Sequence, residues 1–300
     1  DLHSFPTRRS SDLLSWRVIA LPDSPRLEGF YAQRARIVSL FETFPACDGR
    51  KEGSEAETSF AWEIFERKAG YRPPLTHAAC TISHVSVIEG FAREEGAPDD
   101  LLLIAEDDAR FADGVDEVLE RIVAASRDLD VMVLADSFGD LGPFRLLSPA
   151  GESFQLSALA PKVRSVSGTS YRFGPALGSV RGAGFYLISR RSARQVTHYI
   201  ASCGGPHWLA DWFEWWVAPA GLTLQAVQPS LATWDGDSTL GNSLMLDFYL
   251  RKQESILRSR ATSPWMVPLV RTRMRAGRYR RVLAGVLHAT AADLRARRRR

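Results

Sequence analysis

The sequence predicts an α/β protein with a mostly parallel central sheet flanked by helices. Two observations carry that expectation. Apolar runs of strand length occur at Trp16–Leu21, Leu101–Ala105, Val131–Ala135 and Ala183–Ile188, uninterrupted in LLLIA, as buried strands require. Stretches with helical apolar spacing separate several of them, and strands alternating with helices build parallel sheets.

Trp16–Leu21, WRVIAL, is rich in β-branched residues and is closed by Pro22. Glu28–Leu40 has helical spacing, and Val38–Pro45 can hold a second strand before the Asp48-Gly49 turn. Glu55–Lys68 reads as a further helix ahead of the Pro73-Pro74 breaker. Thr76 is placed to cap a helix on which Cys80, His84, Ile88 and Phe91 share one face. Asp113 is placed to cap a helix presenting Val115, Val118, Leu119, Ile122 and Val123. Residues 139–180, rich in Gly, Pro and Ser, read as loops facing a substrate. After Ala183–Ile188, Ser189 begins a helix to about Ala201, and Thr223–Val227 supplies a last strand. No internal repeat is present.

The composition, 45% hydrophobic and 24% charged over 300 residues, is that of a globular protein. No apolar run approaches the roughly 20 residues of a membrane span. Cys47, Cys80 and Cys203 have no CxxC spacing, which suggests neither a disulfide framework nor a zinc site and points to a reducing compartment. The formal charge of +3 conceals an asymmetry. Residues 251–300 hold 15 Arg or Lys against Glu254 and Asp293, so an acidic body carries a basic tail. The tail is expected to be helical or disordered and to seek an anionic membrane surface; nonspecific nucleic-acid attraction and simple solvation are the alternatives, and no specific nucleic-acid partner is expected. Residues 1–13 have no hydrophobic period, and His3–Leu13 reads as the translation of a common sequencing adapter, so this segment is expected to be non-native.

Glu106-Asp107-Asp108 follows the LLLIA run directly, at the carboxyl end of a strand, where open α/β sheets bind ligands. If the backbone stays extended, Glu106 and Asp108 point to one face and Asp107 to the other. Adjacent carboxylates repel, and a hard divalent cation, Mn2+ or Mg2+, relieves the repulsion and can bridge nucleotide phosphates. A solvated acidic turn is the structural alternative.

Five segments in order resemble glycosyltransferase family 25, which includes lipopolysaccharide and collagen galactosyltransferases. They are VIALPDSPRLEGF, FETFPACDGR, ACTISHVSV, LLLIAEDDARF and RGAGFYLISRRSAR, and the likeness runs from Val18 to Ser243. It implies a catalytic domain over 14–250 with a GT-A type nucleotide-sugar-binding fold, a UDP-sugar donor, usually UDP-galactose, a divalent metal at Glu106, Asp107 and Asp108, and inversion at the anomeric carbon. The acceptor would be a glycan or lipid-linked saccharide, and the location cytoplasmic, at the inner membrane face. Pro22-Asp23 departs from the family's usual Asp-Arg pair.

Within that frame Arg26 is a candidate partner for the donor diphosphate. Asp48 is a candidate for the nucleoside, with turn stabilisation as the alternative; Ser83 and His84 are candidates to line the donor pocket, although a lone His on an apolar face is more often a core residue. An inverting transfer needs a base near the acceptor hydroxyl. Asp211 is the first candidate and Glu214 the second. Trp208 and Trp212, with Trp215, have helical spacing and could stack on acceptor sugars or face a core. Asp235 and Asp237 could add a metal-side contact or lie in a solvated loop. Other readings of the same residues are a metal-dependent phosphodiesterase or phosphatase, and a non-catalytic nucleotide-sugar-binding adaptor.

Overall fold

The computed structural model describes residues 14–126, 128–135, 154–234 and 283–295. The first half of the chain contributes β1 (Leu14–Ala20), α1 (Arg26–Tyr31), β2 (Glu42–Pro45), α2 (Glu55–Ser59), α3 (Trp62–Ala69), α4 (Leu75–Arg93), β3 (Leu101–Glu106), β4 (Ala109–Phe111), α5 (Val115–Ala125) and β5 (Val131–Val133). The second contributes β6 (Gln155–Leu156), β7 (Lys162–Arg164), β8 (Ser170–Leu177), β9 (Phe185–Ser189), α6 (Arg190–Cys203), β10 (Leu224–Gln228) and β11 (Ala232–Trp234). Residues 283–295 are helical.

The main sheet has the order β2-β1-β3-β9-β5-β10-β8-β6, with β7 also on β8, while β4 and β11 form a separate antiparallel ribbon. Strand β1 is parallel to β2 and β3, and β10 is parallel to β5. The sheet is mixed, because β9 lies antiparallel between β3 and β5, and β8 antiparallel to β10. An uninterrupted apolar run fits a doubly covered strand in either direction, so the sequence pattern is silent on this reversal.

Both faces of the sheet are covered. Along β3, Leu102 and Ile104 enter the core under α4 and α6, and Leu101, Leu103 and Ala105 enter the core under α1 and α5. Strand β9 repeats the alternation, with Tyr186 and Ile188 on the first side and Phe185 and Leu187 on the second. This two-residue period fixes the register and so the height at which each strand ends.

Several expected elements are shorter or broken. The helix expected over Glu28–Leu40 is α1 followed by a 3₁₀ turn at Arg36–Leu40, and the one over Glu55–Lys68 divides at Phe60 and Ala61, which leave helical geometry. Helix α4 begins after Pro74 without a side-chain cap from Thr76, and α5 starts at left-handed Gly114 rather than at an Asp113 cap. Ser189 does cap α6, accepting from Ser192 N. Within 139–180, expected to be loops, the described residues form β6, β7 and β8. Asp235, Asp237, residues 1–13 and most of the basic tail lie outside the described residues.

Candidate functional site

Strands β1, β2, β3 and β5 end at one edge of the sheet, and antiparallel β9 begins there, as the bond from Glu106 N to Gly184 O (3.0 Å) shows. Every chain crossing this edge leaves the sheet, so side chains from distant parts of the sequence converge.

The acidic trio does not stay extended. Residues 107 and 108 form the turn between β3 and β4, so Glu106 separates from Asp107 and Asp108, not Asp107 from the other two. Glu106 faces α4: its Oε1 lies 3.0 Å from His84 Nε2 and 3.6 Å from Cys80 Sγ. His84 Nδ1 lies 3.0 Å from the Tyr186 hydroxyl on β9. Burial pushes the Glu106 carboxyl up, but the interaction with His84, the Cys80 contact and the charge of Arg26 together outweigh it and hold the group below its ordinary value.

Asp107 and Asp108 face the segment after β1. Arg26 Nη2 lies 2.9 Å from Asp107 Oδ1, and its Nη1 lies 3.1 Å from Asp108 Oδ2, while the Ser24 hydroxyl donates to Asp107 Oδ2. Both carboxylates are buried, and Asp108 Oδ1 has no hydrogen-bond partner among the described residues. Burial, then the charge of Glu106, raises the Asp108 carboxyl to about 7 despite Arg26. A buried carboxylate oxygen without a donor, beside a second carboxylate and the Ser24 hydroxyl, offers the oxygen ligands that a hard divalent cation prefers. The Cys80, His84 and Glu106 donor atoms also lie within 4.8 Å of one another, a softer set that the cysteine spacing gave no reason to expect. There, however, Glu106 already accepts from both neighbours.

Asp48 follows β2 and is gripped by Arg50, whose Nε and Nη2 each lie 2.8 Å from a carboxylate oxygen. Ser83 is committed to scaffolding: it accepts from Cys47 N (2.9 Å) and donates to Ala79 O (2.8 Å), pinning the β2 exit onto α4. Gly49 permits this approach, since a Cβ there would stand 2.7 Å from Thr76 Cα.

Asp211 lies at the same edge, where its Oδ1 accepts from Ala183 N at 2.8 Å. Its side chain is exposed, and desolvation by the surrounding protein followed by the charge of Glu106 raises its carboxyl. Glu214 is differently placed: Arg181 Nη2 lies 2.6 Å from its Oε1, and Ser179 Oγ donates to the same oxygen at 3.1 Å.

The tryptophan segment is not a helix; its regular part is the 3₁₀ turn Phe213–Trp215. The assumed helical spacing therefore fails, and the rings separate. Trp208 is buried, with Tyr199 and Trp216 stacked at 6.1 Å, which leaves no face for the sugar expected there. Trp212 is half-buried beside Phe65 and Trp215, with the Arg181 guanidinium 5.0 Å from its ring.

The family model described as glycosyltransferase family 25 (LPS biosynthesis protein) matches residues 16–208, well over half of the chain. The chain belongs to glycosyltransferase family 25. No curated protein matches it. The family 25 match takes in Arg26, Asp48, Ser83, His84 and the Glu106–Asp108 turn, whereas Asp211 and Glu214 lie just beyond it. Cys80, Tyr186 and Arg181 were not anticipated as site neighbours. For Cys80 the signal was available, because it lies one turn before His84 on the same helix face; for Arg181 none was, because its partner Glu214 is distant in sequence.

Proposed function

We propose that the protein is a metal-dependent, inverting glycosyltransferase that moves a hexose, galactose by family resemblance, from a UDP-sugar to a glycan or lipopolysaccharide-type acceptor. The observation that carries this reading is the meeting, at one sheet edge, of a buried carboxylate cluster, an arginine and a separate carboxylate of raised pKa. The mixed sheet with its ligand edge at the carboxyl ends of β1 and β3 supports a GT-A type fold.

Of the three expected ligands, Asp107 and Asp108 would hold the cation, Asp108 Oδ1 lacking a partner among the described residues, while Glu106 stands beside them on the His84 side. A bound Mn2+ or Mg2+ would neutralise the donor diphosphate. Arg26 keeps the paired acids close to each other and places a permanent positive charge beside the diphosphate position. His84, through Glu106, and Ser83, through the Cys47–Asp48 turn, would act as positioning residues, and Asp48 is the candidate partner of the ribose or base.

Asp211 is the base. Its Oδ1 is oriented by Ala183 N–H, and its raised affinity for a proton suits abstraction from a hydroxyl. The acceptor oxygen bonds to the anomeric carbon as its proton passes to Asp211, while the bond from that carbon to the diphosphate oxygen breaks with its electron pair on UDP. Attack opposite the leaving group inverts the linkage. Glu214 serves better as the anchor of Arg181, whose guanidinium lies over the Trp212 ring.

Thermal shift with a panel of nucleotide sugars, with and without manganese, tests the reading. Stabilisation by one UDP-sugar only with the metal is expected. No response to any donor would overturn the transferase, and response without turnover would favour a nucleotide-sugar-binding adaptor.

A further inference from the structure

Away from the cleft, the helix 283–295 lies against the β6 edge of the sheet. Ala158 N donates to Thr290 Oγ1 (2.8 Å), and Ser157 Oγ donates to Asp293 Oδ2 (3.0 Å). Gln155 packs closely on Gly285, where an added Cβ would stand 2.8 Å from Gln155 Cγ, and Ala289 is buried. This docking also covers part of a short edge strand.

The same helix leaves three leucines in water. Leu283, Leu287 and Leu294 are 62%, 62% and 45% exposed. At about 100° per residue they fall within about 40° of one another, forming one stripe beside the docked face. The body adds Leu159, the neighbour of Ala158, and Leu177, the strand partner of Gln155, both exposed. Large apolar side chains gathered at one corner mark a contact surface.

Charge identifies what it contacts. Arg295 and Arg297–Arg300 follow Leu294 in sequence, and residues 251–300 hold 15 basic side chains against two acids. Leucines beside a block of arginines match a surface that is apolar inside and anionic at its face. Arginine can keep its head at the phosphates while its stem lies along the apolar side. At 1.5 Å per residue its described part is about 20 Å long, and with one face docked on the protein and leucines beside it the helix suits lying in the interface. No helix among the described residues is long and apolar enough to cross a membrane.

We propose that the helix 283–295 docks the protein on an anionic phospholipid surface, with Leu283, Leu287 and Leu294 inserted between the lipids and the neighbouring arginines among the headgroups. This attachment is independent of the transfer chemistry and keeps the cleft near lipid-linked acceptors.

Flotation of the full chain with vesicles of phosphatidylglycerol and phosphatidylethanolamine, compared with phosphatidylcholine alone, tests the proposal. Binding to the anionic vesicles only is expected. The paired change Leu287→Gln and Leu294→Gln, which leaves charge untouched, should weaken binding about tenfold or more with an unchanged melting temperature. The proposal is overturned if the intact chain floats with neither vesicle, or if the variant floats as the intact chain does, since arginine attraction alone would then suffice. It is also overturned if the variant loses melting temperature, which would place the leucines in the fold, or converts a dimer to a monomer in light scattering, which would make the stripe a contact between copies. Donor-induced thermal shift is measured on the same samples, so failure of membrane docking and failure of the transferase reading are told apart.

Discussion

His84 Nε2 lies 3.0 Å from Glu106 Oε1, joining the middle of α4 to the end of β3. The imidazole is buried, and Glu106 sits where the sheet opens to the cleft. His84→Ala would leave the carboxylate without its main donor, at a cost of about 1–3 kcal/mol. His84→Gln retains an amide donor and should recover part of the loss. Urea denaturation compares them; equal midpoints for both variants and the unaltered chain would show that the contact contributes nothing.

The main strands were legible because burial on both faces writes them as continuous apolar runs, and Leu101–Glu106 and Phe185–Ser189 are such runs. Strand β8 was not: Gly174 and Pro175 interrupt its pattern, and a strand near the sheet's edge has less apolar surface to declare itself. The acidic turn and Arg26 were legible as types in sequence, but which carboxylates pair was not. That depends on the chain turning at residue 107, which a local pattern does not encode. For Trp208 the spacing left a core ring and a sugar platform both open, and it assumed a helix in a segment built of turns; burial of the ring answers to the core alternative.

Asp48 and Arg50 supply a pH dependence. The hydrogen bonds from Arg50 lower the Asp48 carboxyl from 3.8 to about 2. A carboxyl more acidic in the folded state contributes stability in full above its unfolded pKa, and the contribution is lost as pH falls through the folded value. The difference in melting temperature between the native chain and Asp48→Asn should therefore be constant above about pH 5 and disappear towards pH 2. High salt should shrink it, because Arg50 is exposed. A difference that persists unchanged at pH 2 would assign the effect of Asp48 to something other than its charge.

Gly184 faces Trp234 so closely that a Cβ would fall 2.0 Å from the indole Nε1. Its carbonyl also receives Glu106 N, so displacement of Gly184 reaches the acidic turn. Gly184→Ala should destabilise the protein by about 1–3 kcal/mol, the usual range for overpacking. The cause is separable by a double-mutant cycle. Gly184→Ala introduced into Trp234→Ala, where the indole is absent, should be nearly neutral; full additivity of the two changes would refute the steric account.

Asp211 and Glu214 make opposite predictions about the same reaction. Asp211→Asn keeps the shape and still offers an oxygen to Ala183 N, but it cannot take a proton. Turnover should fall by roughly 10² to 10⁴ while calorimetric binding of the UDP-sugar is unchanged. Because desolvation and the charge of Glu106 raise the Asp211 carboxyl, activity of the unaltered enzyme should rise with pH through a value above that of an ordinary aspartate, and the variant's residual activity should lack that limb. Glu214→Gln breaks the 2.6 Å pair with Arg181 and should show chiefly as a lower melting temperature and a weaker acceptor KM. Single-turnover rates with saturating donor distinguish the two residues. If Glu214→Gln abolishes the chemical step and Asp211→Asn preserves it, the base is Glu214 and Asp211 serves to hold the start of β9.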